Sequence, residues 1–550
     1  MTRYWPSSLP RSLPPLEATI AHNLRTTVQR WPHKPGVGFF GRDLSWSDFN
    51  REVEAFAGWL RRHAGLRRGD RVALYLQNSP QWLVAYYGIQ RADCVAVPVS
   101  PMSRAGELRH ILADSGARAL VAAQDLAPIA VKAAGGCGHE LRLVLACYAD
   151  YLPDRPDFAL PEWLLAPRRT VSGCTAWGAV MAAGLEAPAP QAVPDDLALL
   201  PYTSGSTGLP KGCEHTHRSF QHNTQGLLHW HVQSAATVFM GLPPMYHVSG
   251  LMHCVHSPVW CGGLVVPLPR WDRALALRLI RHYGVTHLGI APTAVIDLLA
   301  SPELDAFDLS GVKRATSGGA TMPKEVWHRL RDRTGLEFVE AYGMTETAAT
   351  ALLNPVERPK PECAGIPFFD TEALVADPAT MQPLPQGEQG EILLRGPQLF
   401  RGYWGRPRDT EAAFAGIDGR RFYRSGDIGF MDAEGYYFMT DRLKRMINAS
   451  GLKVWPAEVE SRLYDHPAVR EACVIAAPDP YRGETVKAVL ALREGAKVTA
   501  EEIMAWARDR MAAYKVPRIV EFVDALPKSP VGKILWRELQ DREKQKETGA

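Results

Sequence analysis

Apolar and polar positions along residues 45 to 125 change period repeatedly. "SWSDFNREVEAFAGWLRRH", "SPQWLVAYYGIQRA" and "GELRHILADSGA" space their apolar residues three and four apart, as amphipathic helices do. Between them, "RVALYLQ", "CVAVPVS" and "RALVAA" are short apolar runs of strand type. The alternation predicts βαβαβ. It resumes later, with "TVFMGLPP", "GLVVPLP", "VTHLGIAP" and "LEFVEAYG" as strands and "DRALALRLIRHY" and "PKEVWHRLRDR" as helices. Short β-type segments such as "GEILLRG" and "GYYFMTD" dominate from about 355 to 440, and beyond "DRLKRMINASG" a helix-strand-strand-helix-strand pattern forms a unit of its own. The expected fold is α/β: a large N-terminal domain of mixed, mostly parallel sheets with a β subdomain over residues 1–441, and a small α+β C-terminal domain over 442–550. Residues 130 to 195, rich in Pro, Ala and Gly, read as surface excursions, and the charged end "QDREKQKETGA" as a solvated tail.

Composition narrows the class. A chain of 550 residues that is 46% hydrophobic and 22% charged is globular, and a net charge of +3 gives no electrostatic ground for a nucleic-acid partner. Nine scattered cysteines without a CxxC pair fit a reduced, cytoplasmic setting. The start "MTRYWPSSLPRSLPPLEATI" lacks the apolar core of a signal peptide, and no stretch has the length and apolarity of an integral membrane segment. A soluble protein is expected, with its oligomeric state open.

Chemistry concentrates first in "YTSGSTGLPKG", residues 202 to 212. Small residues let backbone N–H groups approach an anion, hydroxyls add hydrogen bonds and a lysine supplies neutralising charge, so phosphate is the natural guest. The nucleoside-triphosphatase P-loop is excluded, because Pro210 precedes Lys211 and Gly212 follows it. Five further stretches carry polar residues that packing would not ask for: "PPMYHVSG", "SGGATMP", "AYGMTET", "YRSGDIG" and "DRLKRMINASGLKVWPAEVE". A sixth, "PKSPVGKI", lies near the end.

In this order the motifs resemble the adenylate-forming superfamily of acyl-CoA synthetases, carrier-loading adenylation domains and beetle luciferases, over about residues 20 to 540. The resemblance implies that a carboxylate attacks the α-phosphate of ATP to give acyl-AMP and pyrophosphate, after which the thiol of coenzyme A displaces AMP. It assigns Thr203, Ser204, Gly205, Ser206, Thr207, Gly208 and Lys211 to the β- and γ-phosphates. It assigns Thr345 to the α-phosphate, Glu346 to Mg²⁺, Tyr342 to the adenine, and Gly318, Gly319 and Ala320 to the adenine and acyl sites. Asp427 would accept hydrogen bonds from both ribose hydroxyls and Arg442 would touch ribose or phosphate. Lys444 matches the hinge about which the small domain is mobile. Lys533 matches the adenylation lysine, and the opposite face, with Ser450 and Gly451 of "SGLK", serves thioester formation. Some relatives carry lysines where this chain has Asn448 and Ser450, which leaves the polar groups that orient coenzyme A open.

His247 matches a histidine placed near the carboxylate and the thiol path; a structural, hydrogen-bonded role is its alternative. A metal reading of His247, His253 and His256 fails for want of Cys or carboxylate ligands. The acyl-pocket regions implied by the resemblance, "SGLMHCVHSPVW" and "APTAVIDLL", are apolar and contain no arginine, which favours a hydrophobic monocarboxylate. The style of "MINASGLKVWPAEVE" resembles medium- or long-chain fatty acyl ligases; an aryl or cinnamate-type acid stays open. No carrier domain follows Lys533, so a stand-alone CoA ligase is expected over an enzyme that loads a carrier protein, and retention of Lys211, Glu346, Asp427, Arg442 and Lys533 weighs against a non-catalytic binder.

Overall fold

Six parallel strands form the centre of a nine-stranded sheet, in the order Phe338–Tyr342, Arg314–Gly318, His287–Gly289, Val238–Gly241, Leu264–Pro267 and Pro35–Phe39. The computed structural model describes residues 4–203, 209–318, 322, 324–442, 447–449, 452–454, 456–527, 534 and 536–548. A second, seven-stranded sheet is parallel apart from its edge strand His215–Thr216, and runs on through Leu197–Leu199, Val95–Pro98, Arg71–Tyr75, Ala119–Ala123, Arg142–Ala146 and Cys174–Ala176. Its inner strands are buried at almost every position, as expected where helices cover both faces.

Local signals set the helices. Ser79 accepts a hydrogen bond from the amide of Trp82 and starts Pro80–Arg91, with Pro80 in the first turn. Asp272 caps Arg273–Tyr283, which stops at Gly284 in the left-handed conformation. Helix Trp46–Gly58 packs so closely on Pro80–Arg91 that a Cβ at Gly88 would lie 2.6 Å from the ring of Phe56. Trp46, Trp82, Tyr86 and Tyr87 fill the core around this contact.

The sequence pattern misleads in two places. Arg142–Ala146 and Cys174–Ala176, inside the stretch read as surface excursions, extend the seven-stranded sheet, and Val144, Leu145 and Ala146 are buried there. The C-terminal charged stretch is not a free tail: helix Trp536–Thr548 docks on strand Val469–Asp479. Gln540 accepts from the amide of Ala476 and donates to its carbonyl, and Lys487 pairs with Glu543 at 2.5 Å. Leu539 is its buried anchor. A five-stranded antiparallel sheet built on Gly390–Arg395 and the long strand Arg420–Met431 forms the β subdomain.

The chain divides into two compact units. One comprises Met1–Pro101, Ile111–Tyr202 and Gly212–Asp441; the other comprises Arg442–Ala550 with Met102–His110 and Thr203–Lys211. The second contains its own sheet, in which Val469–Asp479 and Gly483–Leu492 pair antiparallel and Ile519–Phe522 pairs parallel, over a core including Val474, Val486, Leu490 and Ile503. Among the described residues, no helix is long and apolar enough to cross a membrane.

Candidate active site

Because the central strands of the large sheet are parallel and in register, Gly241, Gly289, Gly318 and Tyr342 end at one edge. Open α/β sheets bind ligands beyond the carboxyl ends of their strands. The loops that leave this edge are "GLPPMYH", "GIAPT" and "AYGMTET", so three of the stretches singled out from sequence are brought together.

The turn after Tyr342 is built to hold one shape. A Cβ at Gly343 would fall 1.5 Å from the carbonyl oxygen of Ala349, Ala348 and Ala349 adopt φ of +48° and +89°, and the Thr347 hydroxyl accepts from the amide of Met344 at 2.9 Å. Two buried side chains pin it from outside. His215 Nε2 lies 2.7 Å from the carbonyl oxygen of Thr345, and Asn223 Nδ2 lies 2.9, 2.8 and 3.0 Å from those of Thr347, Ala348 and Thr350. Burial pushes His215 down to about 4, so at neutral pH it is an uncharged ring that donates Nε2–H to Thr345. Glu346 is thereby fixed as a buried carboxylate. Tyr403 donates its hydroxyl to Oε1 at 2.8 Å, and no cation pairs with Glu346 among the described residues. Burial and the Glu346 charge hold the Tyr403 phenol well above its ordinary value.

Asp427, also buried, accepts a 2.7 Å hydrogen bond from the Tyr342 hydroxyl, which joins the "AYGMTET" and "YRSGDIG" motifs directly. Gly426 before it has φ of +71°, and its amide donates to Glu391. Glu391 is itself held by Arg424 at 2.7 Å. Gly318 closes the neighbouring strand, where a Cβ would stand 3.0 Å from the carbonyl of Ala341. His247 is exposed, its ring 4.7 Å from that of Tyr246, at the head of a helical segment that continues through a π-type turn, Leu251–His256. The three histidines of this region face different partners: His253 Nε2 accepts from the amide of Gly289, and His256 Nε2 meets the Tyr86 hydroxyl at 2.7 Å. Leu251, Met252, Cys254, Val255, Val295 and Leu298 supply a buried apolar lining to the two segments read as acyl-pocket walls.

In the second unit Thr203 and Lys211 lie on short paired strands, and the Lys211 side chain is buried. The Asn448 amide donates to Glu484 at 2.7 Å. Arg442 ends the strand Tyr437–Arg442. Ser204, Gly205, Ser206, Thr207, Gly208, Gly319, Ala320, Lys444, Ser450, Gly451 and Lys533 lie outside the described residues.

Sequence reasoning missed His215, Asn223, Tyr403 and Glu340. Glu340 is a carboxyl side chain inside the apolar strand "FVEAY", and that misfit was its available signal. It is 5% exposed, Oε1 accepts from the amide of Met322 at 2.8 Å, the amides of Glu362 and Cys363 also face it, and Oε2 has no partner among the described residues. Burial, helped by the Glu362 charge, raises it to about 7. The folded protein therefore keeps this proton while the unfolded chain has lost it. The resulting stability is fully present below the ordinary glutamate value and disappears as pH rises to about 7. Glu340→Gln does not titrate, so its melting temperature should gain on that of the wild type between pH 5 and pH 8, by the equivalent of about 3 kcal/mol; parallel melting curves across that range would show a carboxyl with an ordinary proton affinity.

Fold and edge together define an open α/β body of the kind that binds ligands beyond the carboxyl ends of its strands, and the chain has a second, small α+β unit. The chain belongs to the AMP-binding enzyme family, whose model matches residues 24–404, while the model of the AMP-binding enzyme C-terminal domain matches 458–533. It is 35% identical to a long-chain-fatty-acid–CoA ligase of Bacillus subtilis (strain 168), with 98% of this chain and 97% of that protein covered. It is 35% identical to a feruloyl-CoA synthase of Amycolatopsis sp, over 93% and 96% of the two chains. The crystal structure of a long-chain-fatty-acid–CoA ligase from Archaeoglobus fulgidus superposes with a TM-score of 0.76 at 25% identity, covering 95% of this chain and all of that one.

Proposed function

We propose that this protein is an AMP-forming acyl-CoA synthetase that activates a hydrophobic monocarboxylic acid, with a medium- or long-chain fatty acid favoured. The observation that carries the reading is the joining of Tyr342 to Asp427 beside the Thr345–Glu346 turn at the carboxyl edge of the sheet. An acceptor carboxylate for ribose and an aromatic ring for adenine stand next to a buried carboxylate that pairs with no cation among the described residues, where a triphosphate would arrive. The apolar segments Leu251–Cys261 and Pro292–Leu299 favour an acid without a second charge.

In this reading Tyr342 and Gly318, with Gly319 and Ala320, receive the adenine. Asp427 and Arg442 take the ribose, and Thr345 takes the α-phosphate. The Thr203–Gly208 loop with Lys211 cradles the outer phosphates. Glu346 fits Mg²⁺: its carboxylate is a hard oxygen donor with a hydroxyl partner and no cation among the described residues. When bound there, the ion would neutralise charge on the phosphates. Lys533 bridges acid and α-phosphate during adenylation, Lys444 is the hinge between the two half-reactions, and Ser450, Gly451 and Asn448 face the thiol step. His247 stands at the carboxylate. Nine scattered cysteines, none in a CxxC pair, support a reducing compartment, which we take to be the cytoplasm.

A second reading, an aryl acid as substrate, is favoured by the feruloyl-CoA synthase relative. Thioester formation with ATP and coenzyme A across acetate to palmitate, plus benzoate, cinnamate and ferulate, separates the two. We expect a maximum at eight carbons or more. A maximum on ferulate makes the aryl reading correct, and pyrophosphate release without a CoA thioester moves the acceptor to a carrier protein.

A further inference from the structure

The acid side of the site hangs on one buried amide that belongs to the other sheet. Asn78 lies between strand Arg71–Tyr75 and helix Pro80–Arg91, at 4% exposure. Its Nδ2 is 2.9 Å from the carbonyl oxygen of Gly241 and 3.1 Å from that of Pro243, and its Oδ1 accepts from the amide of Met245 at 2.8 Å. The loop it grips, "GLPPMYH", contains two prolines and so lacks two of the amides with which it could satisfy itself. The helix that follows Asn78 continues the grip: the Tyr87 hydroxyl donates to the carbonyl of Val255 at 3.1 Å, and the Tyr86 hydroxyl meets His256. The loop has no slack on its other side, because a Cβ at Gly250 would lie 1.9 Å from the carbonyl oxygen of Pro244.

We propose that Asn78 is a positioning residue for the acid-binding half of the site, fixing the Gly241–His247 loop so that His247 and the apolar segment behind it meet the carboxylate in one geometry. The inference rests on the acyl-CoA synthetase reading for its substrate, and on the three hydrogen bonds for its geometry. Side-chain chemistry is specific here. Aspartate is isosteric and still accepts from Met245, but its second oxygen faces two carbonyls, and only its protonated form can donate to them. The titratable groups packed around the loop, His253, Cys254, His256, Tyr86 and Tyr87, are kept neutral by burial.

Asn78→Asp should lower kcat/KM for the acid about 10- to 100-fold at pH 8, because a misplaced loop loses the attack geometry, while KM for ATP stays within about twofold. The deficit should narrow toward pH 6, whereas Asn78→Ala shows a pH-independent one. Tyr87→Phe, which removes a single hydroxyl, should show the same split between acid and ATP at about 2- to 5-fold and guards against misfolding of the other variants. Equal losses in the acid and ATP parameters, or acid parameters within twofold of wild type, overturn the proposal. Should the wild type activate no acid at all, the functional reading fails while hydrogen exchange still tests the grip. The Met245 amide should exchange at least about tenfold faster in Asn78→Ala than in wild type, with the Trp82 amide as internal reference; unchanged exchange refutes it.

Discussion

Lys533→Ala is expected to lose about 10²- to 10³-fold or more in acyl-AMP formation, the cost of removing one preorganised cationic donor from a developing phosphoryl charge. The same variant should convert supplied acyl-AMP and coenzyme A to thioester at close to the wild-type rate. The asymmetry follows from the order of chemistry. In the first half-reaction two anions, a carboxylate and a triphosphate, must approach each other, and a bridging ammonium offsets their repulsion. In the second, a thiol displaces AMP from a mixed anhydride and the acid no longer carries charge. Lysine in "PKSPVGKI" suits the first task because its compact ammonium sits on a flexible stem. The measurement is pyrophosphate release with acid and ATP, beside thioester formation from acyl-AMP. Equal loss in both would refute separate residue sets for the two half-reactions, and with it the role of Lys444 as the hinge that exchanges them.

How much of this was legible in the sequence depends on where each residue finds its partner. Strands such as "RVALYLQ" and "VTHLGIAP" and helices such as "DRALALRLIRHY" appear within a few residues of the predicted spans, because their burial pattern is local. Cys174–Ala176 was invisible: three residues at a sheet edge, with no buried position, leave no periodic trace. The terminal helix was hidden differently, since its docking uses a glutamine and a glutamate, read as solvent-facing, against two neighbouring strands some 60 residues away. Tyr342, Glu346 and Asp427 could be named as candidates because each lies in a motif that carries the family resemblance, and the structure joins Tyr342 to Asp427. Asn78, His215 and Asn223 were not, because they serve backbone atoms 124 to 167 residues distant. A buried asparagine is chemically conspicuous only after the fold has shown what it touches.

Glu346 offers the second large effect, and it separates charge from packing. Glu346→Gln keeps the side-chain length and an oxygen able to accept from Tyr403, so the turn pinned by His215 and Asn223 should survive and the melting temperature should change little. What it removes is the negative charge. If that charge holds Mg²⁺ against the phosphates, adenylation should fall about 10²-fold at fixed magnesium, and the magnesium concentration for half-maximal rate should rise by a similar order. Tyr403→Phe is the complementary change: it keeps the charge and removes the hydroxyl, so its magnesium dependence should shift by only a few-fold. Pyrophosphate release titrated with Mg²⁺ in the three proteins reads both numbers at once. A Glu346→Gln enzyme that is slow but saturates with magnesium like the wild type would assign the carboxylate to holding the turn, because a residue that only supports backbone cannot alter the affinity for an ion it does not touch.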